Sequence, residues 1–134
     1  MSQIISIHSF RGGTGKSNTT ANLSALLASM GQRVSEVDTD IQSPGINILF
    51  GMAVEEICYS LNDYLWGNCR IKEAAYDVTD RLDGVVEGKM YLVPSSSRGG
   101  DLGRSLRGGV GVGGRGGGLD EGGGVRDLGL VVWG

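Results

Sequence analysis

The chain has 134 residues, 25 of them glycine, and a formal net charge of −3 from 12 Lys+Arg and 15 Asp+Glu, a balance that gives no general attraction to nucleic acid or anionic lipid. Sixteen of the 25 glycines fall in residues 99–134, so 1–98 reads as an ordinary globular segment and 99–134 as a different material. No apolar run approaches the roughly 20 residues of a membrane span, the N-terminus lacks a secretory pattern, and Cys58 and Cys69 have neither CxxC spacing nor a histidine nearby, which leaves a reduced, cytoplasmic protein without zinc or disulfides as the expectation.

Gln3 to Ile7 is short, apolar and β-branched and ends at a glycine cluster, which predicts a buried parallel strand. After Arg11-Gly12-Gly13-Thr14-Gly15-Lys16-Ser17, the stretch Asn18 to Met30 places Leu23, Leu26, Leu27 and Met30 at helical spacing, with Gly31 as the stop. Gln32 to Val37 predicts a second strand ending in Asp38-Thr39-Asp40, so the first forty residues make one right-handed βαβ unit. Pro44-Gly45 turns the chain into a short helical turn over Ile46 to Phe50. Ser60 caps a helix to Trp66, with Asp63 in its first turns. Ile71 to Tyr76 predicts another short helix, Asp80 to Gly88 a polar loop, and Lys89 to Val93 a third strand closed by Pro94. His8, Tyr59, Tyr64 and Trp66 are expected in packing roles, the two cysteines as inert thiols, and the acidic run 77–87 as a solvated loop.

The tail, residues 99–134, uses only eight residue types and carries four Arg against four acidic residues. A flexible linker or RNA-contacting arm is one reading. The other, which the G-rich codons of all eight types favour, is a corrupted continuation of the same domain. Leu128 to Trp133 then stands as a remnant strand. The region before it, with Leu102, Leu106 and many glycines, should not hold a helix, since each interior glycine costs about 1 kcal/mol.

The chemistry sits in the glycine cluster. A phosphate-binding loop needs close backbone approach, inward N–H groups and a helix N-terminus behind them. Lysine adds a point charge and the next hydroxyl a magnesium ligand. Gly12, Gly13, Gly15, Lys16 and Ser17 supply these parts between a predicted strand and a predicted helix, the context such a motif requires. The strict G-x-x-x-x-G-K-[ST] pattern fails at Phe10; what matches is K-G-G-x-G-K-[ST] with Arg11 in the leading position.

With Asp38-Thr39-Asp40, the turn Gln42-Ser43-Pro44-Gly45 and the strand Met90-Tyr91-Leu92-Val93-Pro94-Ser95-Ser96, this resembles the MinD/ParA family of P-loop ATPases over residues 2 to about 97. The resemblance implies an α/β fold, a parallel sheet flanked by helices with its ligand at the strand C-terminal ends, and ATP with Mg2+ as cofactors. It implies that Lys16 binds the β- and γ-phosphates, and that the amides of Gly13, Thr14, Gly15, Lys16, Ser17 and Asn18, with Gly12, cradle them. Ser17 ligates magnesium with Asp38 nearby, Asp40 positions the attacking water, and Arg11 reaches across a nucleotide-dependent homodimer to the partner's phosphates. In the family a later strand ends in a magnesium-holding aspartate, a position taken here by Gly134. The switch region, adenine-recognition segment and any C-terminal membrane-targeting helix of the family find no match in this sequence. The implied function is an ATP-hydrolysing switch for intracellular positioning or partitioning. A P-loop small-molecule kinase and a non-catalytic nucleotide-binding fragment are the alternatives.

Overall fold

The three β-branched segments found in the sequence all become strands, and all three run in the same direction. The computed structural model describes residues 3–41, 43–96 and the backbone of 128–133; Gln42, residues 99–127 and Gly134, on which some of the expectations above fall, lie outside the described residues. In chain order the elements are β1 (Gln3–His8), α1 (Lys16–Ser29), β2 (Arg33–Asp38), α2 (Ile46–Leu49), α3 (Leu61–Leu65), β3 (Tyr76–Asp77), β4 (Lys89–Val93) and β5 (Leu128–Trp133), with 3-10 turns at Val54–Glu56, Ile71–Glu73 and Thr79–Arg81.

The sheet has the order β1-β5-β2-β4-β3. β2 and β4 pair in parallel from Arg33↔Lys89 to Val37↔Val93. β5 pairs antiparallel with both β1 and β2, which makes β1 parallel to β2 and β4, and β3 adds a short antiparallel edge on β4. The fold is therefore the expected α/β one, with a mixed sheet. The run at 128–133 takes the place of a strand between β1 and β2, but its direction is the reverse of that implied by the family resemblance. Trp133 pairs with Gln3 and Val34, at the far edge from the glycine loop.

Helix α1 covers one face. Its buried residues are Thr20, Ala21, Ser24 and Ala28, so small side chains make the close contact; of the expected row Leu27 packs partly buried against the core, while Leu26 and Met30 stay 57% and 64% exposed. This face holds the main core, with Val34, Met90, Leu92, Ile46, Phe50, Met52, Ile57 and Val78. α3 covers the other face with a smaller cluster of Leu61, Ala74 and Val93. Asp63 fixes the start of α3 by accepting from the Ser60 amide at 2.8 Å and the Ser60 hydroxyl at 3.0 Å. At the end of α1, Gly31 takes a left-handed φ of 87°, and its amide and that of Gln32 return to Ala28 and Leu27 carbonyls. Beside it, Gly88 donates to the Ala28 carbonyl at 2.9 Å, so close that a Cβ there would lie 2.0 Å from the Gln32 oxygen.

Some local expectations change. The helix expected over Ile71 to Tyr76 is a single 3-10 turn ending at Glu73, because Tyr76 is drawn into pairing with Leu92 and its hydroxyl bonds to the Tyr59 backbone. Asp77 is not a loop residue but part of β3, paired with Lys89 at 3.4 Å. His8 is exposed and meets Phe10 edge to face at 5.5 Å, and Tyr59 and Tyr64 are 41% and 42% exposed. No helix among the described residues is long and apolar enough to cross a membrane.

Candidate functional site

The parallel strands β1 and β2 each end in a loop at the same edge of the sheet, and these two loops face one cleft. After His8 the backbone makes its tight turn through Gly13 and Gly15, whose φ values of 72° and 86° lie in the left-handed region where other residues are strained. That turn delivers the chain into α1 at Lys16, two residues before the expected start, with Gly15 as the N-cap and no carboxylate in the first turn. The positive end of a 14-residue helix dipole is thus left facing the cleft without an acidic side chain to neutralise it.

The cleft has a volume of about 480 Å3 and is lined by Gly12, Gly13, Gly15, Lys16, Ser17 and Asn18 from the loop and α1, and by Asp38 at the end of β2 and Asp40 just after it. Eight of the residues singled out from the sequence are therefore brought together. Arg11 and Thr14 are not on its lining; both are exposed. The sequence reading missed Thr20, Ser43 and Ile46, which also line the cleft. Thr20 is buried in α1 and bonds back to the Lys16 carbonyl at 2.9 Å, and its position one helical turn after Lys16 was the available signal.

Asp38 is 2% exposed. Its Oδ1 accepts the Asp40 amide at 3.0 Å and its Oδ2 the Gly45 amide at 3.4 Å. Burial nevertheless pushes its pKa up to about 6, with these amides opposing the rise and the Asp40 charge adding to it. Asp40 is half-buried and accepts the Ser43 amide at 2.8 Å. Just after β4, the Ser95 hydroxyl donates to the Asp38 carbonyl at 2.5 Å, which ties the ends of the two neighbouring strands together.

Two residues further back on β2, Glu36 is fully buried on the face that α1 covers. Desolvation pushes its pKa up to about 8; the Ser24 hydroxyl opposes this and the Asp38 charge adds to it. Neither carboxyl oxygen of Glu36, nor the Ser24 hydroxyl, completes a hydrogen bond of normal geometry among the described residues.

The hydroxyl of Ser17 and the carboxylate of Asp38 are hard oxygen donors on one cleft, a set suited to Mg2+ shared with a nucleotide's phosphates. No cluster of three or more His, Cys, Asp or Glu able to hold a metal by itself lies among the described residues.

A family model described as "AAA domain" matches residues 2–98. Among curated proteins, the chain is 38% identical over 97 residues to the septum site-determining protein MinD of Bacillus subtilis, covering 72% of this chain and 34% of that protein. It is 38% identical over 77 residues to an uncharacterised ATP-binding protein of Methanocaldococcus jannaschii, 58% of this chain and 28% of the other. With MinD of Helicobacter pylori it shares 37% over 81 residues, 60% and 29% of the two chains. The chain thus spans about a third, or less, of the length of these relatives. No solved structure matches it.

Proposed function

The chain belongs to the MinD/ParA family of P-loop ATPases, and from that premise we propose that its cleft binds ATP with Mg2+ and supports hydrolysis in a nucleotide-dependent switch for intracellular positioning. The observation that carries this reading is the meeting, in one cleft, of an uncapped helix N-terminus behind Gly13 and Gly15 with the two aspartates at the end of β2.

Backbone amides from Gly13 to Asn18 and the Lys16 ammonium hold the phosphates, which supply the negative charge that the helix terminus lacks. Ser17 and Asp38 hold Mg2+, whose chemistry when bound is to neutralise phosphate charge. Asp38, held as a carboxylate against its own burial, gains most from a cation beside it. Asp40, kept in place by the Ser43 amide, orients the water that attacks the γ-phosphate. Transfer to water relies on positioning and electrostatics, so this sparse set of groups suffices. Arg11 stands outside the cleft, where a guanidinium fork is available to the phosphates held by a second copy of the chain. A cytoplasmic location goes with this role.

The test is calorimetric titration with Mg-ATP alongside phosphate release. Lys16→Ala should weaken binding by about a hundredfold or more, as expected for loss of a charged phosphate contact with several charge-assisted bonds. Asp40→Ala should bind normally and not turn over, and Arg11→Ala should remove the rise of specific activity with protein concentration. Unchanged ATP affinity in Lys16→Ala sinks the reading.

A further inference from the structure

A second groove, of about 400 Å3, opens beside the first cleft and shares Asn18 with it. It follows α1 from Asn18 to Ser29, about 17 Å or three turns at 1.5 Å per residue. Its floor is apolar: Ala21 and Phe50 are buried in the main core, and Leu82 and Val86 pack partly buried against it. Its rim leaves apolar carbon in water, with Leu26 57%, Leu49 46% and, next to Val86, Val85 87% exposed. Exposed apolar groups gathered around a groove mark a surface that another molecule covers. The charges around it are one-sided. α1 carries none from Ser17 to Ser29. On the opposite wall the Arg81 guanidinium donates to the Gly51 carbonyl and to the Glu56 carboxylate, both at 2.5 Å, so its charge is already engaged there. The other charged residues from 80 to 87 are Asp80, Asp83 and Glu87, all acidic and all exposed.

We propose that this groove docks an amphipathic helix of a partner protein, its apolar side chains seated between Leu26 and Leu49 and its lysines or arginines along the flank that faces residues 80–87. The occupant is a helix because α1 uses its own backbone groups in its internal hydrogen bonds. An extended segment laid along α1 would leave its amides and carbonyls unpaired, whereas a helix satisfies its own and presents anchors at i, i+3, i+4 and i+7. The acidic wall selects a basic flank and repels phosphate, so neither nucleic acid nor an anionic lipid surface suits the same place. A second copy of this chain does not supply the flank either. Among the described helices α1 has Lys16 alone, at its first position, and α3 has a single charge, that of Asp63.

The experiment titrates the full chain, at physiological salt, into three fluorescent model peptides of about four helical turns and reads anisotropy. One has leucine on one helical face and lysine on the other, the second has glutamate in place of lysine, and the third scrambles the leucine–lysine peptide so that it has no apolar face. The first should bind at least about tenfold more tightly than the other two. Leu26→Gln and Leu49→Gln should each weaken it by about tenfold, the value of one apolar anchor, and Asp83→Lys by about threefold, the value of an exposed ion pair. Ile4→Gln, at an equally exposed apolar residue on β1, should leave its affinity unchanged. Equal binding of the lysine and glutamate peptides overturns the proposal. So does an equal loss in Leu26→Gln and Ile4→Gln, or no loss in Leu26→Gln and Leu49→Gln. Self-association in sedimentation that Leu26→Gln abolishes, or anionic vesicle binding that it abolishes, gives the groove to a second copy or to a membrane and overturns the partner helix.

Discussion

β1 and β2 point the same way and each delivers half of the cleft, yet they are buried in the opposite order to their composition. β1, with three isoleucines in six residues, contains no buried residue, and Ile4 is 70% exposed. β2 alternates exposed and buried positions, and of its three buried side chains Val34, Glu36 and Asp38, two are carboxyls. Among the described elements β1 lies at the sheet edge while β2 lies inside it, and the buried small residues of α1 belong to the same core as β2 and β4. Position in the sheet, and not apolarity, decides which strand loses its water. The consequence is energetic: the strand that leads to the two aspartates of the cleft also carries a buried acid whose ionisation opposes folding.

The sharpest test of that contrast is Glu36→Leu. The folded pKa of Glu36 stands at about 8 against an ordinary 4.5, so between these values the native state holds a proton that the unfolded chain does not. Stability should therefore fall as pH rises through this window, by about 1.4 kcal/mol per pH unit, and the penalty should be absent below it. Glu36→Leu should raise unfolding free energy by about 4 kcal/mol at pH 9 and by little at pH 4. Denaturant melts across that range check it, and equal gains at both ends would break the account. Asp38, raised from 3.8 to about 6, has the same sign and should leave in the variant a fall confined to that narrower window and smaller in total.

Val34→Ala, also in β2, comes next. Removing two methyl groups from a site with no exposure should cost about 2 kcal/mol in the same melts. Ile4→Ala in β1 deletes more apolar carbon but from a surface already in water, and should change stability by no more than about 0.5 kcal/mol. If Ile4→Ala cost as much as Val34→Ala, the contrast between the strands would be gone.

The glycine loop and the aspartates were legible because phosphate chemistry restricts residue type at fixed spacing. Gly13 and Gly15 are glycines for their φ angles, and Asp38 and Asp40 follow a strand marked by the β-branched Val34 and Val37. β4 was read to the residue, since Pro94 closes it. What was not legible depended on distant partners. Leu26 and Met30 share a face in the sequence but not the core, because α1 approaches the sheet on Ala21, Ser24 and Ala28. Nothing local marks Glu36 as buried; its neighbours across the ladder, Leu92 on one side and Val131 on the other, are 56 and 95 residues away in sequence.

Gly88 shows how a single letter can hold a backbone path. With the Gln32 oxygen 2.0 Å from where a first side-chain carbon would stand, even alanine cannot enter without moving the turn that joins α1 to β2. Mutational drift at this codon is closed as long as that turn keeps its place. A descendant sequence with any other residue at 88 would be a record that the helix end had already shifted, and with it the placement of the strand that carries Asp38 and Asp40.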